Sequence, residues 1–349
     1  MKALFHSFQR LASFAAVLIL LLGSLHPASL VAEDSAATAK EPEAAKEVSE
    51  ASAGWPHRWV TSLTSGSGKL YAGVADGLLL RESAVVSFAS NDPTKSESLY
   101  THPTSVWALA SAPDGSRLAS TDYKGNLVVY TLADKQPVSK DGVFERWTRA
   151  LLFTPEGASL VAANEAGKVF LYDLGKGEVV KTAETDKQQI YSIALSPDGS
   201  KLACGDGAGS VHLLKFPELE PIKKVASGSE PVWAVCFTSD GKSVIAGGAD
   251  RNLRSVVVDG DAEPTVIGTT SDWITSIVPD SKGEMAVGCM DGKMFITDGA
   301  KMEQIGKVPS GIWSIAFSDG KLLAATRKHM VATFVPSWKV GYTAPEPTK

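Results

Sequence analysis

An all-β, seven-bladed propeller of four-stranded antiparallel blades is the fold class that this sequence predicts, and three observations predict it. The chain repeats itself: Gly115, Gly157, Gly199, Gly241 and Gly283 stand 42 residues apart, a period in the range of repeat architectures. Each repeat carries short aliphatic and β-branched runs parted by Asp-Gly-type turns, which is the pattern of hairpins and not of helices. Seven such units fit between residues 54 and 342, and no long helical pattern competes with them. Four antiparallel strands per unit make one propeller blade.

The chain begins with different material. Lys2 and Arg10 flank a start, an apolar run follows at 11–22, and Gly23, Pro27 and small residues come next. This is the three-part layout of a secretory signal peptide. Cleavage after Ala32 is expected, which makes 1–32 the signal peptide and the protein periplasmic or secreted. Loss of Lys2 and Arg10 would take the net charge from −5 to −7. The apolar run is short for a bilayer span, so an uncleaved anchor is the alternative and no membrane insertion is expected after cleavage. Residues 33–53 read as a flexible acidic, Ala-rich linker. Six acids face two lysines there, with Pro42 and no aromatic residue, too little apolar surface to order itself.

The repeats then follow in order. Blade one runs from Trp59-Val60-Thr61-Ser62-Leu63 through Leu70-Tyr71-Ala72-Gly73 to Asp76-Gly77-Leu78-Leu79-Leu80. Blade two holds the organising stretch, Val106-Trp107-Ala108-Leu109-Ala110-Ser111-Ala112-Pro113-Asp114-Gly115. Blades three, four and five repeat it from Thr148, Ile190 and Val232. A second short run follows in each, such as Leu118-Ala119-Ser120. After a glycine comes a third, such as Leu127-Val128-Val129-Tyr130. Blade six begins at Ile274 and blade seven at Ile312, and a weaker fourth segment precedes each new copy.

These units resemble the WD40-repeat family over about residues 54–342. The family's strand and turn appear as Gly167-Lys168-Val169-Phe170-Leu171-Tyr172-Asp173, with Tyr172 in place of tryptophan. Its Val-x-x-Val-x-Phe-Ser-Pro-Asp-Gly strand is matched more closely. Its Gly-His signature is nearly absent, and only His102 stands at that spacing. Its turn aspartate is kept as Asp76, Asp250 and Asp291 but reads Lys124, Ala166, Ala208 and Lys328 elsewhere. A full His/Ser/Asp/Trp network in every blade is therefore not expected. A ring of blades must close or leave open strand edges. Related propellers close by letting one chain end complete the other's blade, and residues 54–57 and 338–342 are the two candidates. Residues 343–349, with Pro345 and Pro347, read as a disordered tail.

Aligning the copies exposes one aromatic residue near the start of each innermost strand: Trp59, Trp107, Trp147, Tyr191, Trp233, Trp273 and Trp313. It follows the first apolar residue in blades two, four, five and seven and precedes it in one, three and six. The partner positions in those three hold Thr61, Arg149 and Thr275. The resemblance implies that this end of the blade lies near a channel mouth where peptides often bind. Aromatic rings give large contact area at low entropy cost. The same set also reads as wedges between blades, each present for packing. The shift of the aromatic between blades favours the mouth. Arg149 is the one charged member of the inner ring of seven. It suits a bidentate grip on a carboxylate or phosphate, or stacking on an indole such as Trp107 or Trp147.

Other chemistry finds little footing. Net charge is −5, so no nucleic-acid footprint is expected. Cys204, Cys236 and Cys289 stand in three different repeats and read as buried thiols, with no metal-ligand spacing. His57, His102, His212 and His329 occupy different repeat positions. No Ser/His/Asp grouping or phosphate loop emerges. No cofactor and no catalytic residue is expected. The sequence is read as a non-catalytic platform for a protein or peptide partner. The alternatives are a propeller enzyme of an extracytoplasmic compartment and a structural subunit of an envelope assembly.

Overall fold

The computed structural model describes residues 58–334 apart from 67, 77–78, 90–91, 281, 319–320 and 327–330. The chain divides into residues 1–44 and 45–349. The expected signal peptide, the linker, both closing segments and the tail lie outside the described residues.

Every regular element among the described residues is a strand. The strands form seven antiparallel sheets, six of four strands and a seventh with three described strands. Each sheet is ordered outward from its first strand. Blade two shows the plan: Val106–Ser111, Arg117–Asp122, Leu127–Thr131 and Gln136–Lys140. Its second strand is buried almost throughout, whereas its outermost strand is exposed along its whole length. That gradient explains why the fourth segment of each repeat is faint in the sequence: one face of it meets solvent, and little apolar patterning is required there.

The repeated Asp-Gly turn has a backbone cause. Gly115, Gly157, Gly199, Gly241 and Gly283 all have φ between 67° and 87°, a left-handed conformation that a Cβ disfavours. The carboxylates of Asp114, Asp198 and Asp240 accept the N–H two residues on, from Ser116, Ser200 and Lys242, at 2.9–3.0 Å. Side chain and glycine together fix the same turn in each copy.

Two details differ from the sequence reading. Residues Leu79 and Leu80 are turn and not strand, and Leu80 is exposed. The third strand of blade one is Ser83–Ala89, where Val85, Val86 and Phe88 supply the buried positions. Leu79 and Leu80 mislead because they are apolar without being buried. The turn acceptor of blades two to four is also not missing; it stands two residues earlier. Asp122 accepts from Lys124 and Asn126, Asn164 from Ala166 and Lys168, and Asp206 from Ala208 and Ser210. In blade two this carboxylate lies 3.6 Å from His102 Nδ1, while His102 Nε2 and the Tyr100 hydroxyl both meet Ser120 Oγ. A His/Ser/Asp network thus ties His102, at the end of the outermost strand of blade one, to the second strand of blade two.

The core is divided into seven clusters, one at each blade-to-blade interface. One of them joins Leu63, Leu70 and Phe88 of blade one to Ala316, Leu323 and Ala325 of blade seven, so the ring is closed. Polar contacts repeat the same logic. Ser192 Oγ accepts from Val235 N at 3.1 Å and Ser276 Oγ from Ile315 N at 3.2 Å. Ser314 Oγ accepts from Leu63 N at 3.2 Å across the closing interface. The three cysteines are free and buried, and burial pushes their thiols up, to about 12 for Cys236.

Candidate functional site

The site begins with a defect in the ladder that every blade shares. In blade two Val106 pairs with Asp122 and Ala108 with Thr121, so nothing stands opposite Trp107. The same slip occurs at Thr61, Arg149, Tyr191, Trp233, Thr275 and Trp313. These are the seven residues of the inner ring read from the alignment. Each is the extra residue of a β-bulge, which bends the strand and re-aims the unpaired side chain.

Five of the seven converge. The Arg149 guanidinium carbon lies 4.3 Å from the ring centroid of Trp233, 5.4 Å from Tyr191, 5.7 Å from Trp313 and 6.0 Å from Trp107. The arginine comes from blade three and the rings from blades five, four, seven and two. Blades two and five stand on opposite sides of a ring of seven, so a point this close to both lies on the channel axis. Arg149 therefore sits in a cage of four rings at one end of the channel. Each such contact is worth about 0.5–2 kcal/mol, most where water is excluded. Burial pushes the guanidinium down to about 10, with only a small upward pull from Tyr191, so it is cationic at neutral pH. Burial also raises the Tyr191 hydroxyl, more than Arg149 lowers it, and that hydroxyl donates to Gln189 Oε1. Arg149 has no ion pair among the described residues.

Trp147 and Trp273, each two positions before the bulge residue of its blade, reach the same cluster. Trp147 meets Trp107 edge-on at 5.1 Å and Tyr123 at 5.7 Å. Trp273 stacks on Trp233 at 5.7 Å, and Trp233 stacks in turn on Tyr191 at 4.9 Å. The shift of the aromatic between blades spans two positions, Trp147 against Arg149 and Trp273 against Thr275, and does not separate the rings. Trp107, Trp147, Tyr191 and Trp233 are buried, while Trp59, Trp273 and Trp313 are part-exposed. Packing and lining roles are both present in the one set.

The two threonines are placed differently. Thr61 Oγ1 donates to Val106 O at 2.6 Å and Thr275 Oγ1 to Ile312 O at 2.7 Å, each on the innermost strand of the next blade. Both hydroxyls also contact their own second strand, at Gly73 O and Gly288 O. Their oxygens are committed to holding neighbouring blades together.

A cleft of about 620 Å³ opens beside the cage between blades five and six, a size typical of ligand sites. Glu230, Asp250, Arg251, Arg254, Asp272 and Trp273 line it, and Asp250 pairs with Arg254. Arg251 has φ 67°, although the equivalent positions in blades two to four are Gly125, Gly167 and Gly209. The alignment holds this signal, since residues 125, 167, 209 and 251 are 42 apart. The cleft itself leaves no sequence mark. Among the described residues no group of His, Cys, Asp and Glu could hold a metal ion.

Comparison with known proteins agrees with the fold. Residues 152–333 match the family described as "CPSF A subunit region", and residues 93–131 match "WD domain, G-beta repeat". No curated protein matches the sequence. A chain in the crystal structure of the mitotic checkpoint complex superimposes with a TM-score of 0.69 at 15% identity, covering 80% of this chain and 90% of that one. At that identity the likeness shows an architecture and nothing of a partner.

Proposed function

The chain belongs to the CPSF A subunit region family and is a WD40-repeat β-propeller; from that premise we propose that it is a protein-interaction platform whose binding face is the aromatic mouth. One observation carries this reading: the convergence of Trp107, Tyr191, Trp233 and Trp313 on Arg149 at the channel axis. Tryptophan, tyrosine and arginine are the side chains that dominate binding hot spots. The part-exposed Trp59, Trp273 and Trp313, next to a cleft of about 620 Å³, offer the reachable surface. Trp147 and the threonines Thr61 and Thr275 support that surface from behind. The partner is a protein or peptide, and no bound cofactor is needed.

Site-directed photocross-linking tests this. A photoreactive residue replacing Trp273 or Trp313 should trap a discrete partner, and one replacing Val138 on the outer strand should not. Cross-links that concentrate at Val138 would move the binding face to the blade edges. We further propose that the protein works outside the cytoplasm, on the strength of the apolar run at 11–22 and the small residues before Glu33. N-terminal sequencing should find the mature chain starting at Glu33, and a cytosolic chain starting at Met1 would overturn this.

A further inference from the structure

Resting on the reading of this mouth as a binding site, we propose that the group it takes is a single carboxylate, presented by a peptide and held by Arg149. The first ground is the balance of donors and acceptors. An arginine brings five N–H donors and no acceptor, and an indole brings one donor only. The indole nitrogens of Trp107, Trp147, Trp233 and Trp313 are all buried and have no acceptor among the described residues. Trp107, Trp147 and Trp233 are only 4%, 9% and 7% exposed. Arg149 likewise has no carboxylate at ion-pair distance among the described residues. A cluster of dehydrated donors around a cation is completed by an acceptor-only group, and an ionised carboxylate is one.

The second ground is exclusion. Four rings around a guanidinium occupy the space in which a ligand ammonium would otherwise lie. A cationic side chain would meet Arg149 at close range with its charge uncancelled. The third ground is charge count. The cage holds one positive charge, and a dianionic phosphate would bring a second negative charge into a dehydrated site with nothing to pair it. The chain's net charge of −5 adds to that penalty. A peptide is indicated because the cleft between blades five and six is one ring away: Trp273 lines it and stacks on Trp233, which carries the guanidinium. Residues flanking the carboxylate have room there.

Selection of a displayed pool of random heptapeptides against the full chain tests the inference. Each enriched sequence is made twice, with its Asp, Glu and C-terminal carboxylates intact and as the matching amides. Enriched sequences should share a carboxylate, and the amide twin should bind at least ~10-fold more weakly, the factor set by a charge-assisted bond of about 1.5–3 kcal/mol. The carboxylate peptide should shift the indole N–H signals of Trp107, Trp233 and Trp313. Arg149→Gln should erase the difference between twins. Arg149→Lys, which keeps the charge and loses the planar fork, should retain part of it. Should Arg149→Gln fail to fold, the comparison of twins on the unaltered protein and on Arg149→Lys still decides. Equal binding of both twins, lost in Trp273→Ala or Trp313→Ala, would keep the mouth as a binding site and overturn the carboxylate. Displacement of the peptides by inorganic phosphate more readily than by acetate would overturn the one-charge argument. A pool with no binder that depends on Trp273 or Trp313 would overturn the platform reading and the inference with it.

Discussion

At the scale of single residues, one bulge per blade does most of the organising. An unpaired residue near the axis can carry any side chain without disturbing the ladder, so the chain places tryptophan, tyrosine, threonine or arginine there in turn. Burial then separates their roles. Trp107 is 4% exposed, and Trp107→Ala should cost about 3–5 kcal/mol in urea unfolding, the range for a large aromatic removed from a core. Trp273 is part-exposed, and Trp273→Ala should cost well under half as much while it weakens partner capture. Equal losses from both would mean that the two rings do the same packing work. Arg251 offers a second test. Its φ of 67° costs a residue with a Cβ about 1–2 kcal/mol. Glycine relieves that strain but loosens the unfolded chain. Arg251→Gly should therefore raise stability by about 0.5–1 kcal/mol in the same assay, and a destabilised variant would show that the arginine side chain makes up for its backbone.

At the scale of strands and turns, the repeat is held by carboxylates that accept backbone N–H groups. The backbone and side chain of Ser116 hold the Asp114 carboxyl below the usual range, and Lys242 N–H and the Thr238 hydroxyl do the same for Asp240. Burial alone would push Asp122 up, but the polar groups of His102, Thr104 and Asn126 outweigh it and the carboxyl ends low. Each of these groups has a folded pKa below its unfolded one. Folding thus favours the ionised form, and the stabilisation is complete above the unfolded value of about 4. It is lost as pH falls through the folded values. Melting temperature should hold steady from pH 7 to about 5 and drop steeply below about 4; a flat profile down to pH 2 would contradict the turn account. Thr275 tests the link between blades. Thr275→Val keeps the shape and removes a hydroxyl bonded to Ile312 O at 2.7 Å, so it should cost about 1–3 kcal/mol in urea unfolding, the range for a buried group left unsatisfied.

At the scale of the whole molecule, no blade has a core of its own. The seven apolar clusters each draw on two neighbours, and the last joins blade seven to blade one. Stability therefore depends on an unbroken ring, as in other repeat proteins where neighbours bury each other's faces. Deleting residues 312–349 should bare the faces of blades six and one together, and the product should lose its cooperative melting transition and aggregate. A deletion product that melts as one sharp transition would show that six blades can close alone. A circular permutant cut in an exposed loop between two blades should keep the fold, because every cluster survives it.

The blades, their inner-ring residues and the shared turns were legible from the 42-residue period, because each position repeats under the same local demand: a left-handed turn, a buried strand, an axial bulge. The third strand of blade one, Ser83–Ala89, was not, since apolar residues such as Leu79 and Leu80 say nothing of whether a neighbour is there to bury them. The turn acceptors Asp122, Asn164 and Asp206 escaped notice because a two-residue offset along the chain leaves the same oxygen at the same turn. The cage was the least legible of all. Sequence places Arg149 in one blade and its four rings in four others, and it reads equally well as a ligand grip or as a stack on one indole. Closing the ring sets Arg149 among four rings and not one, because it brings blades two, four, five and seven to a single axial point, and distance across a channel is written nowhere along a chain.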